Sequence, residues 1–366
     1  MDYAGRLGRL RSRLEENDLD ALLVTHLPNV RYLSGFTGSA AALVVMAEEA
    51  HSILFTDGRY RTQAKEEVNS KVATIVIAGK SPVVAASEWL AEPRGRSTPL
   101  VVGVEAESIT AGVRDRLASE LKGKVRLRSV PPLVERARMV KDAAEIQCIR
   151  RAIKLGAGLF RVACRKIRPG VSEVEVAAAM EYKARCAGAE GMAFPTILAS
   201  GHRSAIVHGR ASLARIPRRG FVVCDFGVIL AGYCSDRTRT LHVGRPSTEA
   251  RSLYYAVLEA QQAAIAAVAP GVSVAEVDGA ARRVLRKAGL ARYFTHSTGH
   301  GLGLEIHEAP RVAAGQTQKL ETGMVITVEP GAYVPGKWGV RIEDVVVVTS
   351  SGCEVLTSTD KELVVI

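Results

Sequence analysis

One stretch of this chain occurs twice. Residues 168–189 (RPGVSEVEVAAAMEYKARCAGA) match residues 269–290 (APGVSVAEVDGAARRVLRKAGL) at a shift of 101 positions. In each copy Pro-Gly ends one helix, Ser172 or Ser273 caps the next, and Glu175 or Glu276 three residues on completes a capping box. Capping boxes are common, but here the match continues in the same order. IVHG (206–209) answers EIHE (305–308), and GFVVCDFG (220–227) answers GMVITVEPG (323–331). Both stretches thus run helix, His-bearing segment, strand ending in an acid, second acid. Two similar halves that face one another create a cleft on their pseudo-twofold axis, and both contribute acids to it.

The repeat occupies only the later part of 366 residues, a length that suits two domains of unequal size. Ahead of it, an amphipathic helix (6–17) leads to short apolar runs at 21–25, 41–46, 52–56, 74–78 and 99–105, with a helix near 110–121. These runs are rich in branched residues and bounded by turn formers, as expected of strands in a mixed α/β sheet. Pro131-Pro132 interrupts the pattern, and residues 142–167 resume it with helical periodicity. The expected domains are therefore 1–134 and 135–366. The first residues are charged and no stretch approaches the ~18 apolar residues of a membrane span, so a cytoplasmic protein with no membrane partner is expected. Six cysteines without a C-x-x-C pair read as free thiols in a reducing compartment. A net charge of +11 raises nucleic acid as a partner, but the basic residues are interspersed with acids and no binding motif accompanies them. No nucleic-acid partner is expected.

The chemistry lies where charge meets apolar strand. Asp225 ends a run of branched residues, and Asp236 follows eleven positions later, beyond a glycine-bearing hairpin. Glu329 follows MVITV directly, the mirror of Asp225, and Glu343 sits between Arg341 and a four-valine run. A carboxylate in such a place is costly unless something pairs with it. For Glu343 the partner is either Arg341, as a buried ion pair, or a cation, with Arg341 then supporting a ligating carboxylate. The segment HSTGHGLGLEIHE adds His296, His300 and His307. The i,i+4 spacing of the first two suggests a zinc protease helix, but no Glu follows the first and glycines intervene at 299, 301 and 303. An extended segment is expected, with the glycines letting backbone approach a ligand. Four carboxylates and one imidazole form an oxygen-rich set that favours manganese or cobalt over a thiolate-type zinc site. Two such ions can activate a water for attack on a carbonyl.

With these residues in place, the chain resembles the creatinase/aminopeptidase P/prolidase family of pita-bread metallopeptidases over nearly its whole length. The resemblance rests on Asp225-x10-Asp236 with TRT after it, the HSTGHGLGLEIHE segment, Glu329 before Pro-Gly, and RIED at 341–344. It is extended by LPNVRYLSGFTGS (27–39) and TDGRYRTQA (56–64), which look like the family's N-terminal domain and make a methionine aminopeptidase a poorer fit. It implies an N-terminal creatinase-like mixed-sheet α/β domain followed by a pseudo-twofold pita-bread catalytic domain. It further implies that Asp225 binds one metal, that His300 and Glu329 bind the other, and that Asp236 and Glu343 bridge the two. Glu329 would also shuttle the proton of the attacking water, and His296, His307 and His208 would bind substrate and stabilise the oxyanion. The implied ions are two divalent metals, Mn2+ first and Co2+ or Zn2+ as alternatives. The implied substrate is a proline-containing peptide, and the implied assembly is a homodimer in which the loop at 36–41 reaches a neighbouring cleft.

The segment FPTILASGHRSAIVHGRAS (194–212) is similar to shorter bacterial Xaa-Pro aminopeptidases, and no carboxylate clamp of a strict dipeptidase is legible. His202, Arg203 and Arg210 are the candidates for one, set against a solvated loop. The expected function is therefore an Xaa-Pro aminopeptidase, with the dipeptide-restricted prolidase second. A metal-free amidinohydrolase and a metal-free binding module of the same fold stand further off.

Overall fold

The computed structural model describes residues 1–48, 51–93, 98–357 and 360–366. Contacts divide it into two compact units, Met1–Arg138 and Met139–Ile366. In the first unit α1 (Tyr3–Glu16), β1 (Ala21–Val24), α2 (Leu27–Ser34), β2 (Ala41–Met46), β3 (Ser52–Asp57), α3 (Arg61–Glu67), β4 (Ala73–Ala78), α4 (Pro82–Leu90), β5 (Leu100–Glu105), α5 (Ala111–Glu120), β6 (Val125–Val130) and α6 (Leu133–Met139) follow in order. The strands form one mixed sheet in the order β4-β3-β2-β1-β5-β6. β1 pairs antiparallel with β2 and parallel with β5. Leu23, Val44, Phe55, Val102 and Leu117 share its core.

Two features of this unit were not read from sequence. β6 (VRLRSV) is an edge strand whose arginines interrupt the apolar run, so only its ends are buried. The motif LPN is structural. Asn29 is fully buried and donates to Glu105 Oε1 and Glu135 Oε1, both at 2.7 Å. Glu105 also accepts from the amides of Thr25 (2.7 Å) and His26 (2.9 Å), and so serves the start of α2, where His26 supplies no side-chain cap.

The second unit contains the repeat. Its helices are α7 (Ala143–Lys166), α8 (Glu173–Cys186), α9 (Thr248–Ala266) and α10 (Val274–Lys287). Its first-half strands are β7 (Gly191–Met192), β8 (Ile197–Ser200), β9 (Gly220–Asp225), β10 (Val228–Leu230), β11 (Tyr233–Cys234) and β12 (Thr238–Val243). Those of the second half are β13 (Gly299–Gly301), β14 (Glu308–Val312), β15 (Val325–Val328), β16 (Gly331–Val334), β17 (Trp338–Arg341), β18 (Asp344–Val348) and β19 (Cys353–Val355). Helices α7 and α8 cover sheet β12-β9-β8 around Leu159, Met180, Val222 and Phe226. Helices α9 and α10 cover sheet β14-β13-β15-β18-β19 around Val257, Leu285, Ile326 and Val346.

The duplication extends to the hydrogen bonds. Both capping boxes form. Ser172 bridges to Arg215 as Ser273 does to Lys319, and the amides of Gly170 and Gly271 reach the carbonyls of Ile216 and Leu320.

Candidate active site

The acids expected to meet do so at the inner ends of the two sheets. Asp225 is the last residue of β9, paired to Thr238 on one side and Ile197 on the other. Asp236 lies in the connection from β11 to β12 rather than on the return strand itself. His300 is the middle residue of β13, Glu329 follows β15, and Glu343 occupies the break between β17 and β18. Single atoms of Asp236, His300 and Glu343 lie within 4.8 Å of one another. His300 Nε2 is 3.6 Å from Asp236 Oδ2 and 3.4 Å from Glu329 Oε1. Asp225 is outside that group of three but lines the same cleft, a cavity of about 550 Å³.

The hydrogen bonds leave ligand atoms open. His300 Nδ1 donates to Gly301 O at 2.9 Å, so its Nε2 lone pair faces the carboxylates. Thr238 Oγ1 donates to Glu343 Oε2 (2.8 Å), while Glu343 Oε1 is buried without a partner, as is Asp225 Oδ1. Burial, and then the neighbouring acids, push Asp236 and Glu343 well above the carboxylate range. Burial pushes Glu329 up to about 8 and His300 down to about 4. Crowded carboxylates, orphaned oxygens and an aimed imidazole lone pair fit a divalent cation, which relieves all three.

Arg341 pairs with Asp225 of the opposite half (Nη2 to Oδ2, 2.5 Å), so it is not the ion-pair partner considered for Glu343. Its other arm donates to Val207 O (2.9 Å) and Tyr333 Oη (2.8 Å). Tyr333 has no sequence signal, since its role depends on the β16–β17 pairing. It sits 3.0 Å from His296 Nε2. His296 Nδ1 is 2.8 Å from Ser297 O. With one ring nitrogen donating to a carbonyl and the other accepting from Tyr333, a neutral His296 has no N–H left for substrate. Burial, then Arg341, holds it neutral by lowering its pKa to about 4. His307 and His208 are exposed on the cleft wall, with the His307 ring 4.4 Å from that of His300.

Of the candidate clamp residues, Arg210 lines the cleft, whereas Arg203 is tied to the buried Glu173 at 3.1 Å and His202 is absent from the lining. Arg311, which sequence reading missed, also lines the cleft, because β14 places it directly opposite His300. The glycines differ from expectation as well. A Cβ at Gly299 would meet Thr327 O at 2.0 Å, and one at Gly301 would meet Ala309 O at 2.2 Å. They permit strands to approach one another, not a ligand.

Comparison with known proteins shows the family. Residues 147–350 match metallopeptidase family M24, and residues 6–140 match the creatinase/prolidase N-terminal domain. The chain belongs to metallopeptidase family M24 and is a metallopeptidase, with a creatinase-like first unit and a pita-bread second unit. It is 36% identical to an Xaa-Pro dipeptidase of Pyrococcus horikoshii, covering 96% of each chain. Among solved structures, an Xaa-Pro dipeptidase from Bacillus anthracis matches with a TM-score of 0.93 at 36% identity, over 100% of both chains. An X-Pro aminopeptidase from Thermotoga maritima matches with a TM-score of 0.87 at 36% identity, over 97% of this chain and 100% of that one. Among the described residues no helix is long and apolar enough to cross a membrane.

Proposed function

We propose that this metallopeptidase hydrolyses Xaa-Pro peptide bonds and takes dipeptides in preference to longer peptides. The observation that carries the hydrolytic reading is the meeting of acids from both halves around one open imidazole nitrogen. Asp225 and Asp236 from the first half, with His300, Glu329 and Glu343 from the second, would hold two divalent ions, Mn2+ or Co2+ by the oxygen-rich donor set. Such ions supply Lewis acidity and acidify water when bound. The chain's own groups do the remaining work. Glu329, beside His300 Nε2 at the cleft, can take and return a proton. His307 and His208 present N–H donors on the cleft wall for the oxygen that gains charge as the carbonyl is attacked. His296 acts as a fixed wall beside them. Phe194, Pro195 and Ile306 line the same cleft with apolar surface suited to a proline ring. The two metal-free readings leave Asp225 Oδ1 and Glu343 Oε1 buried with nothing to bind.

Two observations favour dipeptides over the aminopeptidase reading that sequence places first. Relatives matched along nearly their whole length carry the name dipeptidase. Arg210 and Arg311 stand in the cleft where a dipeptide, unlike a longer chain, presents a free carboxylate. The Thermotoga aminopeptidase, at equal identity, keeps the longer substrate as the second reading. Metal-loaded protein assayed on Xaa-Pro and Xaa-Pro-Yaa should cleave the dipeptide at least about tenfold better in kcat/KM. Equal or faster turnover of the tripeptide would restore the aminopeptidase. The homodimer belongs to this proposal through the family resemblance, and light scattering on the purified protein tests it.

A further inference from the structure

The geometry points to Glu173 and Arg203 as the pair that sets substrate length, by fixing where Arg210 stands in the cleft. The inference rests on the dipeptidase reading above. Glu173 opens α8, is 0% exposed and lies outside the acidic cluster of the site. Its carboxylate is saturated with donors. Oε1 accepts from Ser200 N (2.8 Å) and Ser200 Oγ (2.9 Å), and Oε2 accepts from Ser212 N (3.2 Å) and Ser212 Oγ (2.7 Å). Arg203 Nε reaches both oxygens, at 3.2 and 3.1 Å. One buried acid therefore pins both ends of the segment 200–212, which carries His208 and Arg210. Such a charge is stable there only while these donors satisfy it.

Arg203 extends the grip. While Nε holds Glu173, Nη2 donates to Arg210 O at 3.0 Å. The planar guanidinium fork spans two partners at fixed separation, which an ammonium does not. Arg210 is also bridged to Ile197, and Ile197 pairs on its other side with Asp225. Two strand spacings, ~10 Å, thus separate the backbone of Arg210 from that of Asp225. A dipeptide with its scissile carbonyl at the acidic cluster ends about one residue, ~3.8 Å, beyond it. An arginine side chain reaching inward from Arg210 meets a carboxylate at that point. A longer peptide presents an amide there and gains no ion pair.

The other half lacks this device. At the same repeat shift the counterpart of Glu173 is Val274, buried and apolar. The lock is therefore particular to the half that carries Arg210.

The test compares an Xaa-Pro dipeptide with its C-terminal carboxamide, as the ratio of kcat/KM values, in metal-loaded wild type, Arg210→Met, Arg203→Met and Arg203→Lys. Wild type should favour the carboxylate by about tenfold or more, and Arg210→Met should lower that ratio by about threefold or more, with Arg311 left to hold the remainder. Arg203→Met should lower the ratio to the same extent. Arg203→Lys keeps a charge beside Glu173 but lacks the second arm, so it tests the inference even if the methionine variant misfolds. Equal losses on both substrates, or an unchanged ratio in both Arg203 variants, overturn the inference and leave the dipeptidase reading standing. A wild-type ratio near one overturns that reading, and the inference with it.

Discussion

Asp225 Oδ1 and Glu343 Oε1 are buried without partners, while the other oxygen of each acid is held by Arg341 or Thr238. Each acid is thus oriented with one oxygen left open. Asp236→Ala or Glu343→Ala should therefore lower metal content, read by elemental analysis, and abolish turnover. His307→Ala should keep the metal and lower kcat by about 10²–10³, the usual effect of losing one oxyanion donor. Loss of metal in His307→Ala would show that the ligand set is misassigned. A second expectation concerns pH. The folded-state pKa of Glu329 is raised to about 8, so in metal-free protein its contribution to stability is complete only below the unfolded value of 4.5 and is lost as pH rises through about 8. Chelated protein should melt lower at about pH 9 than at about pH 6, whereas Mn2+ should stabilise more at the higher pH, because its ligands must shed protons to bind. Thermal melts with and without chelator at the two pH values check both signs. Asp225, Glu329 and Glu343 were legible in the sequence because a charge beside an apolar run needs a reason, and Asp236 because it follows Asp225 across a glycine-bearing hairpin. Tyr333 and Arg311 were not, since they act through strand register, which no local pattern encodes.

Among elements, β13 is extended as expected only over Gly299–Gly301, with His296 and His307 in bends outside it, and the reason for its glycines was read wrongly. The glycines of HSTGHGLG were expected to make room for a ligand, and they make room for neighbouring strands instead. Gly299→Ala would drive a Cβ against Thr327 O, 2.0 Å away, and push β13 off β15 together with His300. The expected result is overpacking of about 1–3 kcal/mol and weakened metal binding, measured by denaturant unfolding and by metal titration. The buried strands of the first unit were legible as short branched runs, while β6 was hidden because an edge strand tolerates Arg126 and Arg128. The capping boxes were legible because their three-residue spacing is itself the hydrogen-bond geometry. Ser172→Ala should accordingly cost about 1 kcal/mol in unfolding free energy, the usual loss for an N-cap hydroxyl.

For the whole molecule, the repeat was the most informative feature, since it fixed a two-half arrangement before any element was assigned. It did not reveal that the halves diverge in what they offer the cleft: aspartates Asp225 and Asp236 from the first, His300 with two glutamates from the second. Exhaustive chelation should stop turnover and Mn2+ or Co2+ should restore it, with activity returning in step with bound metal. Activity that survives chelation would favour the amidinohydrolase alternative. This division of ligands has a mechanical side. Donors lying more than a hundred residues apart along the chain would be tied by the same pair of ions, so each ion works as a rivet between two folded slabs. Protein that refolds with its halves out of alignment should be unable to keep its metal through dialysis, and retained metal per chain would then measure how much of a preparation has assembled correctly.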